Sequence, residues 1–132
     1  MKMSATVKSS FHQLSTTVST NDAGKELRID PKANGYGSSI NGGEMLLLSL
    51  ATCFCNDLYR EAAKRNIVIE AAEVIFNGEF GAEGEPGFNF TYKANISSGA
   101  SAAEIEDLIR YTDTVAEIHN TLRKGLAITL AQ

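Results

Sequence analysis

Residues 42–64 read GGEMLLLSLATCFCNDLYREAAK and hold both cysteines of the chain. The stretch is nearly all apolar from Met45 to Phe54 and polar on one side thereafter, which predicts one long helix that leaves the interior toward its C-terminal end. Any thiol chemistry must sit on this helix. On a wheel of about 100° per residue, Cys53 shares a face with Leu46, Ser49, Leu50, Asn56, Asp57 and Arg60, where an apolar stripe turns polar. Cys55 lies about 200° away, among Leu48, Ala51, Thr52, Leu58, Tyr59 and Ala62. The two thiols therefore point to opposite sides and cannot close a disulfide while the helix is intact. Arg60, two turns on, leans back toward the N-terminus and is expected to lower the Cys53 pKa, which marks Cys53 as the reactive thiol. Cys55 has the surroundings of a small core residue.

Working outward, the 132 residues suit a single domain spanning 1–132, able to bury a core without disulfides or a structural metal. A net charge of −4 argues against nucleic acid or an anionic membrane as partner, because both select a basic surface. The run Met45 to Phe54 is too short to cross a bilayer and the N-terminus lacks a signal-peptide core, so the expected location is cytoplasmic. Two cysteines spaced C-x-C with two histidines do not form a zinc site, and no metal is expected. Asn89-Phe90-Thr91 and Asn95-Ile96-Ser97 match the glycosylation pattern, which has no use without export.

Ahead of the helix, Ala5 to Ser9 and Phe11 to Thr20 alternate in Thr, Val and Ser and read as strands. Asn21 to Gly24 reads as a turn, and Lys25 to Asp30 as a third strand that Pro31 ends. The glycine-rich loop 32–43 lacks both the full G-x-G-x-x-G spacing and a preceding βαβ strand, so it predicts a flexible connection rather than a phosphate cradle, and no cofactor is expected. Beyond the helix, Ile67 to Phe80 and Phe88 to Ser98 read as a hairpin around a loop at 81–87. Ser101 and Glu104 form a capping box for a short helix with Ile105, Leu108 and Ile109 inward. Thr112 and Asp113 predict a fresh cap and another helix to about Lys124, closed by Gly125, and Leu126 to Leu130 a last short strand. The order implies an α+β fold with a mainly antiparallel sheet.

The run Gly43 to Phe54 resembles the P-x-E-L-L-x-A-A-x-A-x-C-F segment of the OsmC/Ohr family. Residues Asn120 to Leu130 resemble that family's ending, in which a C-P-x-S-N-x-x-R-G helix start leads into a short strand. Element order agrees over the whole chain. The resemblance implies an intertwined homodimer with two central helices packed together inside two sheets and active sites at the subunit interface. It also implies reduction of organic hydroperoxides, in which the helix thiolate attacks the peroxide, becomes sulfenic acid, and is resolved by a second cysteine.

Carried over by position, Cys53 falls on the peroxidatic site, whereas the resolving cysteine's position is Ala116. The family's glutamate corresponds to Gly43, with Glu44 one step later; Glu44 and Cys53, nine residues apart and roughly 180° around one helix, could meet only across a subunit boundary. The family's early-strand arginine has no counterpart, because the first arginine is Arg28 and the opening strands offer only Lys8 and His12. His119 shares the C-terminal helix with Asn120 and Arg123 and is a candidate base near Cys53, against the plainer reading of a solvated residue. Arg123 and Lys124 read as partners of the last turn, and Tyr59 and Tyr111 as core residues with a wet hydroxyl. The candidate catalytic residues are therefore Cys53, Glu44, Arg60 and His119. Two functions follow: a one-cysteine hydroperoxide reductase that uses an external thiol reductant, or a noncatalytic dimeric module that binds a small apolar or acyl ligand at the subunit interface.

Overall fold

A computed structural model describes residues 1–132 as two compact units, 1–45 and 46–132. The first unit is a three-stranded antiparallel sheet of β1 (Met3–Ser10), β2 (Gln13–Thr20) and β3 (Ala23–Glu26), in that order. Asn21 and Asp22 both take positive φ, 47° and 65°, so a two-residue turn joins Thr20 to Ala23. The turn is thus tighter than the expected Asn21–Gly24, and Ala23 and Gly24 enter the ladder. Loop 27–41 is ordered rather than loose: Pro31 bridges Ser38, Lys32 and Gly37 are bonded N–H to carbonyl, and Gly35 accepts from His12. Gly35 sits at φ 92° with the Phe11 ring 2.6 Å from where a Cβ would stand, so a side chain there would be strained and would displace the ring.

Helix α1 (Gly42–Lys64) begins at a reciprocal cap. The Glu44 N–H donates to Asn41 Oδ1 at 2.8 Å, and the Asn41 N–H to Glu44 Oε1 at 3.0 Å. It ends at Asn66, held at φ 55°, where the Ile67 N–H reaches back to the Ala62 carbonyl at 2.9 Å.

In the second unit, β4 (Ile69–Glu79) and β5 (Phe88–Ser98) pair antiparallel with Val74 opposite Ala94 and Phe76 opposite Tyr92. Phe54, Leu58 and Ala62 of α1, with Leu108 and Ala116, form the buried core, and the inward residues of the hairpin pack on it. No helix is long and apolar enough to cross a membrane.

The third strand also stops at Glu26 instead of Asp30, and the C-terminal elements depart from expectation as well. Helix α2 (Ala102–Val115) starts at the Ser101–Glu104 capping box as expected but runs through Thr112 and Asp113. Thr112 does not cap anything, because its buried hydroxyl donates to the Leu108 carbonyl at 2.7 Å within the helix. The break falls at Ala116, and α3 (Glu117–Lys124) follows at once, ending at Gly125 with φ 78°. The exposed carbonyls at the end of α2 are taken by α3: Asn120 Nδ2 donates to Thr114 O and Arg123 Nη1 to Asp113 O, both at 3.0 Å. The expected strand at Leu126–Leu130 does not form; Ile128 and Leu130 are 91% and 81% exposed, and the segment pairs with no strand of the chain.

Candidate active site

Cys53 occupies the middle of α1, one turn beyond Leu50 and one turn before Asp57, both of which are buried. Its Sγ donates to Asp57 Oδ2 at 3.6 Å. Arg60, the next residue down the same face, does not reach the sulfur. Its guanidinium is held by Asp57 at 3.0 Å, Glu61 at 2.9 Å and Glu117 of α3 at 2.9 Å. The thiol therefore meets carboxylates before it meets the cation.

That arrangement overturns the expectation of an acidic thiol. Burial pushes the Cys53 pKa up, the Ile118 backbone N–H at the start of α3 favours the thiolate, and Asp57 and Glu117 oppose it; the net direction is upward. Burial likewise raises Asp57, with Glu117 adding to it and Arg60 subtracting. Cys53 Sγ and the oxygens of Asp57 and Glu117 lie within 4.8 Å of one another. They are donors of the kind that bind a cation, but Arg60 already bridges both carboxylates. Asp57 and Glu117 were not singled out from sequence. Asp57 had a signal in its i+4 spacing from Cys53, whereas Glu117 becomes visible only when α3 docks.

The remaining candidates lie elsewhere. Glu44 is engaged at the N-terminus of α1 with Asn41. His119 is neither solvated nor bonded to Cys53. It is 4% exposed, and neither ring nitrogen has a hydrogen-bond partner. Its ring packs among Phe54, Phe76 and Tyr92 with centroids 5.3, 5.2 and 4.9 Å away. Burial first, then the Arg123 charge, holds its pKa below the ordinary value against the pull of Asp113, which favours the neutral imidazole. Arg123 does more than complement a helix end: its Nη2 meets Asp113 Oδ1 at 2.7 Å, and the Tyr92 hydroxyl donates to the same oxygen. Cys55 and Cys53 are both free. Tyr59 and Tyr111 are surface residues, 43% and 46% exposed, the latter beneath the Arg65 guanidinium.

These features define a class of small α+β protein in which a half-buried thiol on a long helix faces a carboxylate–arginine cluster. The family follows from the sequence as a whole: the model for OsmC-like protein matches residues 35–131, and the chain belongs to that family. Solved structures agree on the fold. An OsmC-like protein of Mycoplasma pneumoniae shares 23% identity at a TM-score of 0.63, covering 92% of this chain and 86% of that one. An OsmC-like protein of Vibrio cholerae gives 12% and 0.65 over 91% and 92%. The organic hydroperoxide resistance protein OsmC of Legionella pneumophila gives 20% and 0.61 over 93% and 90%. No curated protein matches the chain in the sequence search.

Proposed function

We propose that the chain is a one-cysteine, thiol-dependent hydroperoxide reductase. The observation that carries this reading is the Cys53–Asp57 contact, with Asp57 itself held by Arg60. A nucleophile, a base and a group that orients the base are the parts from which an activated thiol is built. The name of the Legionella relative supplies the substrate class.

In the first step the Cys53 sulfur attacks the terminal oxygen of R–O–O–H. The S–O bond forms as the O–O bond breaks, and the thiol proton passes by way of Asp57 to the departing alkoxide. The products are Cys53 sulfenic acid and R–OH, sulfur losing two electrons and the peroxide gaining two. Ala116 offers no second thiol and Cys55 lies across the helix, so an external thiol closes the cycle. Its first equivalent forms a mixed disulfide with loss of water, and a second frees Cys53 as the external disulfide departs. Glu44 and His119 take no part in this scheme.

Consumption of cumene hydroperoxide with dithiothreitol as reductant tests the reading. Wild type should turn over and Cys53→Ser should fall to the uncatalysed background; equal activity in the two would sink it. One observation favours the second reading, a noncatalytic module that binds a small apolar or acyl ligand: burial and the two carboxylates hold the Cys53 thiol above its ordinary range. The same assay separates the two, since that module leaves the peroxide untouched.

We further infer a homodimer. Leu48 and Tyr59 stand 57% and 43% exposed on the Cys55 side of α1, and a second copy of the helix would cover them. Sedimentation at micromolar concentration should give a dimer, and a monodisperse, well-folded monomer would refute it.

A further inference from the structure

The cluster around Cys53 carries a charge that the peroxide reaction does not need. Three carboxylates, Asp57, Glu61 and Glu117, share it with two cations, Arg60 and Lys64. Lys64 meets Glu61 at 3.0 Å, while Asp57 and Glu117 divide the Arg60 guanidinium between them. One negative charge is left over, and it stands nearest the thiol. Cys53 Sγ and one oxygen each of Asp57 and Glu117 lie within 4.8 Å of one another, whereas Arg60 does not reach the sulfur.

The two carboxylates differ in what an incoming molecule meets. Asp57 is buried, but the Glu117 side chain is 63% exposed at the start of α3. The Glu117 backbone N–H does most to hold this carboxyl below its ordinary pKa; burial opposes it and Arg60 adds to the lowering, so Glu117 is ionised across neutral pH. A reagent whose own carboxylate sits beside its reacting atom must bring that charge within a few ångströms of Glu117 to touch Sγ. Like charges that close repel, and a neutral reagent escapes the repulsion.

We propose that the Cys53 site selects its reactants by charge: hydroperoxides and thiols that are uncharged or cationic around the reacting atom are admitted, those with a carboxylate beside it are turned away, and Glu117 sets the discrimination. As to which reactants are sorted, this rests on the peroxidase reading above; the repulsion itself acts on any reagent that reaches Cys53.

Alkylation of Cys53 by iodoacetamide and by iodoacetate tests it, because the two reagents are alike in size and differ by one negative charge. Both react with the same thiolate, so the thiol pKa cancels from the ratio of their rates. Fragment mass spectrometry reads Cys53 apart from Cys55, the one other thiol. In low salt the iodoacetamide-to-iodoacetate ratio at Cys53 should exceed that of N-acetylcysteinamide, an uncharged free thiol, by roughly three- to ten-fold, and high salt should bring the two together. Glu117→Gln should lower the ratio toward that of the free thiol, whereas Glu117→Asp should keep it high. A wild-type ratio no greater than the free thiol's, or one that Glu117→Gln leaves unmoved, would overturn the proposal. If the Glu117 variants do not fold, the wild-type ratio and its salt dependence decide alone. Cumene hydroperoxide turnover separates the two readings: turnover without the charge preference fails this one, and the preference without turnover fails only the reductase.

Discussion

Glu117 and His119 stand two residues apart on α3 and have opposite surroundings. The Glu117 side chain is 63% exposed and pairs with Arg60 near Cys53, whereas His119 is buried among aromatic rings with no partner at all. One short helix thus borders a polar cluster on one side and an unsatisfied apolar cavity on the other. Around Cys53 the carboxylates outnumber the guanidinium they share, so that side offers acceptors for a proton. The His119 side is packed with aromatic rings and offers a proton no partner. Placing a titratable group near a cavity does not by itself make it catalytic; its partners decide.

The largest effect on this contrast should come from Asp57→Asn. If Asp57 accepts the thiol proton, the substitution should slow peroxide reduction by roughly 10²-fold or more. Wild type should hold a level rate across neutral pH, while the variant's rate should climb with pH as thiolate forms above the ordinary thiol range. Parallel pH–rate profiles would remove Asp57 from the reaction. Stability should move the other way. Burial raises the Asp57 pKa in the fold, so its protonated form is favoured there; that contribution is full below the unfolded value and lost as pH rises through the folded one. At pH 7 the ionised, buried carboxylate is a net cost that Asn lacks. Asp57→Asn should therefore melt higher than wild type at pH 7, with the difference closing in acid.

A smaller effect is expected on the other side of α3 from Arg123→Ala. Arg123 ties Asp113 to the break between the helices, but both groups are partly exposed, so the loss should be about 1 kcal/mol or less. Its pH dependence has the opposite sign to that of Asp57. Burial opposes ionisation of Asp113, yet the hydrogen bonds from Arg123 and Tyr92 prevail and hold its pKa below the ordinary value. The stabilisation is present above the unfolded value and lost as pH falls through the folded one. Urea unfolding should show the full gap at pH 7 and a gap that shrinks as the pH falls below the unfolded carboxylate value; a gap that stays constant into acid would mean that the carboxylate bond is not what Arg123 contributes.

Much of the second unit was legible. The Ser101–Glu104 capping box, the stop at Gly125 and the strand at 88–98 are local signals, and each stands where the residues placed it. The failures have one cause. Thr112 and Asp113 have the chemistry of a helix start, but their side chains found better partners in Leu108 and in Tyr92 and Arg123. Leu126 to Leu130 has the composition of a strand, but a strand exists only when another backbone pairs with it. Arg60 was placed on the right face and given the wrong neighbour, because three carboxylates compete for it ahead of the thiol.

By itself the sequence determined the long helix of residues 42–64, the opposed directions of Cys53 and Cys55, and the resemblance to the family. These rest on periodicity and covalent spacing, which need nothing from afar. Only the tertiary structure decided that Cys53 faces Asp57 and Glu117, that burial and these carboxylates push its pKa up, and that His119 is buried among aromatic rings. Desolvation and pairing depend on which distant element arrives, and here that element is α3.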